Sequence, residues 1–301
     1  MITIMTPTYN RAYILGNAYQ SLQKQTSFDF EWIIIDDGSA DNTEELVKGW
    51  IAEETRFPII YEKQPNGGKH RAVNRGVALA SYEYFLILDS DDTLTEDAVV
   101  KVHHWITQID GLDGFAGVAG LKAYANPSQS GNTADAVVGG MPPQPYIDAT
   151  NLERGKYGLL GDKAEVYKTD VLKRYPFPEF EGENFLRETA SWDRIARDGL
   201  KIRWYSDVIY LCEYIEDGLT KNIDLKAYAR NFQGYTYCSK LLLETRFGWL
   251  RIHRCGEFAY VASLNGLSFV QAKRLLGASW SMMMRGVILF YLRKLYHKVC
   301  K

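Results

Sequence analysis

Along the first hundred or so residues, apolar positions come in short blocks separated by longer stretches of mixed character. "MITIMTP", "EWIIID", "PIIYEKQ" and "YEYFLILDSDD" each carry a compact apolar run closed by turn or acidic residues. Such runs are the pattern of strands buried on both faces. Between them, residues 12–26 set Ile14, Leu15, Ala18 and Leu22 at helical spacing. "TEELVKGWIAEE" opens with acids in its first turn, and "HRAVNRGVALA" follows the Gly-rich turn "PNGGK". Both read as helices. Strands alternating with helices imply βαβ units and a mostly parallel sheet. Further on, "GFAGVAGLKAYA" predicts a strand and "GDKAEVYKTDVLKRY" a strand and a short helix. "ENFLRETASWDRIARDG" predicts a helix stopped by Gly199, and "KIRWYSDVIYLCEYI" an alternating strand. Residues 126–145 are rich in Gly, Pro, Ser and Asn and read as a long loop, while the pattern from Tyr228 onward is helical.

Composition changes this picture little. The 301 residues are 46% hydrophobic and 24% charged, values of an ordinary globular protein with one or two packed units. A net charge of -2 gives no reason to expect a nucleic-acid partner. The charge is uneven, however: residues 251–301 hold nine Lys or Arg against the single acid Glu257. Cys212, Cys238, Cys255 and Cys300 show neither metal-ligand spacing nor pairing, which fits a reducing compartment. Met1 leads directly into the first strand without a signal-peptide pattern, so a cytoplasmic protein is expected.

The chemistry sits at strand ends. Parallel sheets bind ligands beyond the carboxyl ends of their strands. Here those ends carry "TYNR", "IDDGS" and "DSDD". Asp89, Asp91 and Asp92 crowd three carboxylates into four residues, and their repulsion calls for compensation. Capping of the following helix is one reading. A divalent cation is the other, since hard oxygen ligands suit Mg²⁺ or Mn²⁺ and a cation there could stabilise a diphosphate leaving group.

"TPTYNR", "IIIDDGSADNT", "NGGKHRAVNRG" and "LILDSDD", in that order, make the chain resemble the family 2 glycosyltransferases of the GT-A fold. The resemblance is strong over about residues 1–100 and weaker to about 220. It implies an α/β fold with a mixed, mostly parallel, Rossmann-like sheet flanked by helices, here with a helical C-terminal extension. The corresponding division is a catalytic domain over 1–221, with a donor half (1–92) and an acceptor half (93–221), followed by the extension at 222–301. The implied reaction is metal-dependent, inverting transfer of a sugar from a nucleotide-diphosphate donor, with UDP expected. The acceptor would be a carbohydrate or lipid-linked saccharide of bacterial polysaccharide or glycolipid assembly. "DSDD" matches the family's DxD motif: Asp91 would be the principal Mn²⁺ or Mg²⁺ ligand, with Asp89 near the ribose and metal, and Ser90 and Asp92 in the same turn. Asp36 or Asp37 would accept from the imide of the base. Thr6, Pro7, Tyr9 and Arg11 would line base and phosphates, Lys69 would place a cation there, and Asn74 would hold its loop.

Aligning "RETASWDRIARDG" on the family pattern puts Glu188 at the catalytic base, with Glu181, Glu183 and Asp193 as competitors. Arg187 and Glu188 stand where the family often has Glu and Asp. Asp217, Thr220 and Lys221 are candidates for a lid over the diphosphate. Two rival functions are a nucleotidyltransferase and a non-catalytic nucleotide-sugar-binding module. Finally, 275–292 falls just short of a membrane span and has Arg285 in its middle. Its apolar and basic residues suit a helix lying on an anionic membrane surface, or packing on another subunit.

Overall fold

The four leading apolar runs form β1 (Ile2–Thr8), β2 (Phe30–Asp36), β3 (Ile59–Lys63) and β4 (Tyr84–Ile87). They alternate with α1 (Leu15–Gln23), α2 (Thr43–Glu53) and α3 (Lys69–Leu79), and all four strands run parallel in the order β3-β2-β1-β4. Every residue of β1 and β2 is buried, which is why these strands read as runs and not as alternations. Trp32 on β2 is fully buried and stacks with Tyr19 of α1 and Trp50 of α2 at 5.9 and 5.8 Å. Its indole N–H donates to the Thr6 hydroxyl at 2.9 Å, satisfying the polar handle that burial would otherwise orphan.

This computed structural model describes residues 1–126, 137–213 and 224–299. They cluster into two units, Met1–Phe177 with Ile195–Glu216, and Pro178–Arg194 with Asp217–Lys301. The suggested lid residues Asp217, Thr220 and Lys221 lie outside the described residues, as does most of the long loop after Asn126.

In the first unit the sheet continues through β8 (Lys163–Lys168), antiparallel to β4, and β6 (Phe115–Tyr124), antiparallel to β8. Two reversals bring β6 back parallel to β4, and β9 (Lys201–Cys212) runs parallel to β6. The carboxyl ends of β1, β2, β4, β6 and β9 therefore share one edge. Two short strands escape the sequence pattern. Both β5 (Thr93–Leu94) and β7 (Tyr146–Ala149) pair antiparallel with β9 and are too brief to show a period. The unit also holds α4 (Ala98–Thr107) and α5 (Thr169–Arg174). The helix expected from "ENFLRETASWDRIARDG" starts only at Thr189, as α6 (Thr189–Arg197). Upstream, Gly182 takes a left-handed φ of 75° and Pro178 lacks an N–H, so that stretch does not wind.

The second unit is built from α7 (Leu225–Arg230), α8 (Phe232–Thr245), α9 (Trp249–Leu264), α10 (Phe269–Leu276) and α11 (Trp280–Val299). Phe258, Cys255, Val261, Tyr235 and Met283 fill its core. Where α9 meets α11 the backbones touch: a Cβ on Gly256 would stand 2.1 Å from the Gly286 carbonyl oxygen. Among the described residues no single helix is long and apolar enough to cross a membrane. The pair Phe269–Leu276 and Trp280–Tyr296 passes that test together, but is bent by 119°.

The Gly256–Gly286 contact yields a stability prediction. Gly256→Leu must push α11 off α9 and is expected to cost about 2–3 kcal/mol. Urea unfolding followed by helical circular dichroism measures it; an unchanged midpoint would mean the two backbones do not meet.

Candidate active site

The tips of β1 and β2 are tied together. Asn10, the one non-glycine residue with positive φ among the described residues, accepts from the Ala40 amide, while its own N–H donates to the Ser39 hydroxyl, both at 2.8 Å. Asparagine tolerates this left-handed conformation, which is the local reason for "YN" at this turn. Pro7 is buried in β1, Tyr9 is 49% exposed at its tip, and Arg11 beyond it is half-buried with its guanidinium over the Tyr13 ring. Thr6 points into the core, its hydroxyl taken by Trp32.

The two carboxylates ending β2 are buried and already serve the fold. Asp36 accepts from the Ser39 amide at 2.7 Å and the Tyr61 hydroxyl at 2.6 Å. Asp37 accepts from the Gln64 side chain and from the amides of Gly67 and Gly68, at 2.7, 2.9 and 2.7 Å. Asp37 thus holds the turn that delivers α3. The Gly between these tips is obligatory: Gly38 sits at φ 88°, and a Cβ there would meet the Asn66 amide at 2.9 Å. Asn74, on α3, ties that helix to a distant segment. It clamps the Phe177 backbone, accepting from its N–H and donating to its carbonyl, both at 2.9 Å.

Lys69, the first residue of α3, reaches the acidic turn and pairs with Asp89 at 2.6 Å. The Asp89 amide in turn donates to the Tyr210 hydroxyl at 2.9 Å. Burial alone would raise the Asp89 pKa, but Lys69 and Lys122 outweigh it and hold the carboxyl below the usual range. Burial raises the Asp91 pKa, and repulsion from Asp89 adds to it; its own backbone amide donates to the carboxylate and opposes the rise. Ser90 is buried within the same turn. Asp92 accepts from the Glu213 amide at 3.0 Å, and burial followed by repulsion from Asp89 pushes its pKa to about 7.

Lys122 completes the cluster, and the motifs gave no sign of it. Near the end of β6, its ammonium lies 3.9 Å from the centre of the Tyr210 ring, with no ion pair or hydrogen bond among the described residues. Burial would lower its pKa, but Asp89, Cys212 and Asp92 outweigh that and hold it charged. A lysine inside an otherwise apolar strand, "GVAGLKAYA", was the available signal.

The chemistry of this edge is that of an anion site with an acidic partner. Two ammonium groups offer donors for phosphate oxygens, and two adjoining carboxylates offer hard oxygen ligands. Among the described residues no three His, Cys, Asp or Glu side chains gather into a full metal shell. One or two carboxylates suffice for Mg²⁺ when substrate phosphates supply further ligands, and Asp91, which has no ion-pair partner among the described residues, fits that need.

Residues 3–129 match the family model described as Glycosyl transferase family 2. They are a family 2 glycosyltransferase domain. The glycosyltransferase relatives agree. A GalNAc(5)-diNAcBac-PP-undecaprenol beta-1,3-glucosyltransferase of Campylobacter jejuni is 26% identical over 246 residues, 80% of this chain and 74% of the relative. Glycosyltransferase GlyG of Streptococcus pneumoniae is 30% identical over 110 residues, 36% of each chain. The match thus spans about a third of GlyG. S. aureus TarS 1–349, solved with UDP-GlcNAc, superposes with a TM-score of 0.60 over 95% of this chain and 78% of TarS, at 18% identity. That likeness establishes the GT-A fold.

Glu188 belongs to the second unit. It is exposed just ahead of α6, and its carbonyl accepts from the Ser191 and Trp192 amides. Of its competitors, Glu183 caps α8 by accepting from the Gln233 and Gly234 amides at 2.6 and 2.8 Å, and Asp193 pairs with Arg246 at 3.2 Å. Glu181 is exposed.

Asp92 makes the domain's stability depend on pH. Its folded pKa lies above the unfolded value of about 3.9, so the folded state binds the extra proton. The stability it contributes is complete below about pH 4 and is lost as pH rises through about 7. Denaturant midpoints measured with chelator present should fall across that window, and Asp92→Asn should flatten the fall. An identical slope in the variant would remove Asp92 as its source.

Proposed function

We propose that the chain is an inverting glycosyltransferase moving a sugar from a UDP-linked donor to a hydroxyl of a carbohydrate or lipid-linked saccharide in bacterial polysaccharide or glycolipid assembly. The observation that carries this reading is the meeting of Lys69, Lys122, Asp89 and Asp91 at the carboxyl edge of the sheet. The UDP-GlcNAc complex of TarS and the undecaprenol-linked name of the Campylobacter relative support it.

In this reading Tyr9 stacks on the base, and Asp36 or Asp37 accepts from its imide N–H. Each carboxylate has about four acceptor positions, so both retain capacity beyond the two and three bonds they already accept. Thr6 and Pro7 back this wall of the site, with Thr6 fixing Trp32 beneath it. Arg11, Lys69 and Lys122 bind the diphosphate, and Ser90 and Asn74 position the turn and helix that carry the ligands. Asp91 and Asp89 would hold Mn²⁺ or Mg²⁺, which would supply Lewis-acid stabilisation of the charge on the departing diphosphate. Glu188 takes the proton from the acceptor hydroxyl as general base. The catalytic domain would span 1–221, with donor half 1–92 and acceptor half 93–221, and the helical extension 222–301 would hold the enzyme peripherally at the inner face of the cell membrane.

Calorimetry of UDP binding with and without Mn²⁺ tests the donor site. Asp91→Ala should abolish the metal-dependent part, and Lys122→Met should weaken binding about ten-fold or more whether or not Mn²⁺ is present. Absence of binding by any nucleotide would sink the reading. Glu188→Gln should leave UDP affinity unchanged while lowering turnover about a hundred-fold or more. Release of pyrophosphate in place of UDP would identify a nucleotidyltransferase instead.

A further inference from the structure

Near the amino ends of α9 and α11 lies an open groove of about 220 Å³. Arg251 and Arg285 face it, with Ser279, Ser281, Ile252 and Met282 completing the wall. Neither arginine has an ion-pair partner among the described residues, and the Arg251 Nε is buried with no hydrogen-bond acceptor. Glu257, the single acid in 251–301, is occupied by His253 and Arg254 at 3.5 and 3.9 Å.

The groove opens onto an apolar surface. Phe247, Trp249 and Leu250 beside it are 80%, 54% and 52% exposed. On α11, Ser281 and Arg285 continue at helical spacing into Ile288, Leu292 and Leu295, which are 56%, 57% and 60% exposed. The other face of α11 is committed to the protein. Met283 is fully buried, Gly286 meets the α9 backbone, and Phe290 packs on Tyr260 at 5.1 Å. A helix fastened on one face and apolar on the other can lie in a bilayer interface but not cross it.

We propose that this groove is a binding site for the phosphate of an anionic phospholipid, with Arg251 and Arg285 as its ligands and the Ile288–Leu292–Leu295 stripe sinking into the acyl region around it. Charge complementarity selects a membrane as the occupant: the patch is apolar where acyl chains would lie and doubly cationic where a headgroup would sit. The proposal deepens the peripheral-membrane part of the function above and rests on it, but not on the donor chemistry.

The test is flotation of the full chain with vesicles of phosphatidylcholine alone and of phosphatidylcholine mixed with phosphatidylglycerol, with UDP binding measured on the same samples. The intact protein should bind the mixed vesicles and bind the neutral ones weakly. Arg251→Gln with Arg285→Gln should weaken binding to mixed vesicles about thirty-fold. Ile288→Asp should weaken it on both, and each variant should keep its UDP affinity. Equal binding to neutral and mixed vesicles, or an arginine variant that binds as before, overturns the proposal. So does release by millimolar inorganic phosphate, which would mark a soluble-anion site. A dimer in light scattering that Ile288→Asp dissociates, without any effect of lipid, would assign the stripe to a second copy of the chain. Loss of UDP binding in the intact protein would count against the glycosyltransferase reading alone.

Discussion

Three carboxylates at the end of a buried strand must be compensated from within the fold, and the Lys69–Asp89 pair is the link on which the rest of the site hangs. Lys69 opens α3, where the helix dipole opposes a cation. Two acids make that position tenable: Asp89 accepts its ammonium at 2.6 Å, and Asp37 receives the Gly67 and Gly68 amides just ahead of the helix. The tip of β2 therefore positions a turn, the turn positions a helix, and the helix neutralises the tip of β4. A change at any of these points reaches the acidic turn.

The second half of the sheet supplies what the first half lacks. Inserting β8 antiparallel between β4 and β6 returns β6 and β9 to the direction of β4. That places Lys122 and Tyr210 at the edge already occupied by Asp89 and Asp92. Lys122 keeps its charge there because the carboxylates outweigh the cost of burial, and the aromatic face of Tyr210 holds it without consuming its hydrogen-bond donors. An ammonium with donors to spare beside carboxylates is suited to an anionic ligand that brings its own counter-ion.

The helical unit answers to a different constraint. Gly256 and Gly286 let α9 and α11 meet backbone to backbone, and this contact fixes which side of α11 is covered. The side left exposed, with Arg285 running into Ile288, Leu292 and Leu295, follows from that packing.

Periodicity and turn chemistry in the sequence were sufficient to define the alternating strands and helices to β4, the acidic tips and the Gly-rich turn, because each depends on neighbours a few residues apart. They also determined which segments carry the family's motifs. Tertiary structure alone decided what each polar side chain faces. Thr6 turned out to serve Trp32, Asn74 the Phe177 backbone and Glu183 the start of α8, while Asp36 and Asp37 hold their own turns. For Lys122 the sequence offers only a lysine within an apolar strand, since its recruitment depends on the order of strands in the sheet. Sheet order and side-chain pairing are set by packing between distant segments, and no local pattern encodes them.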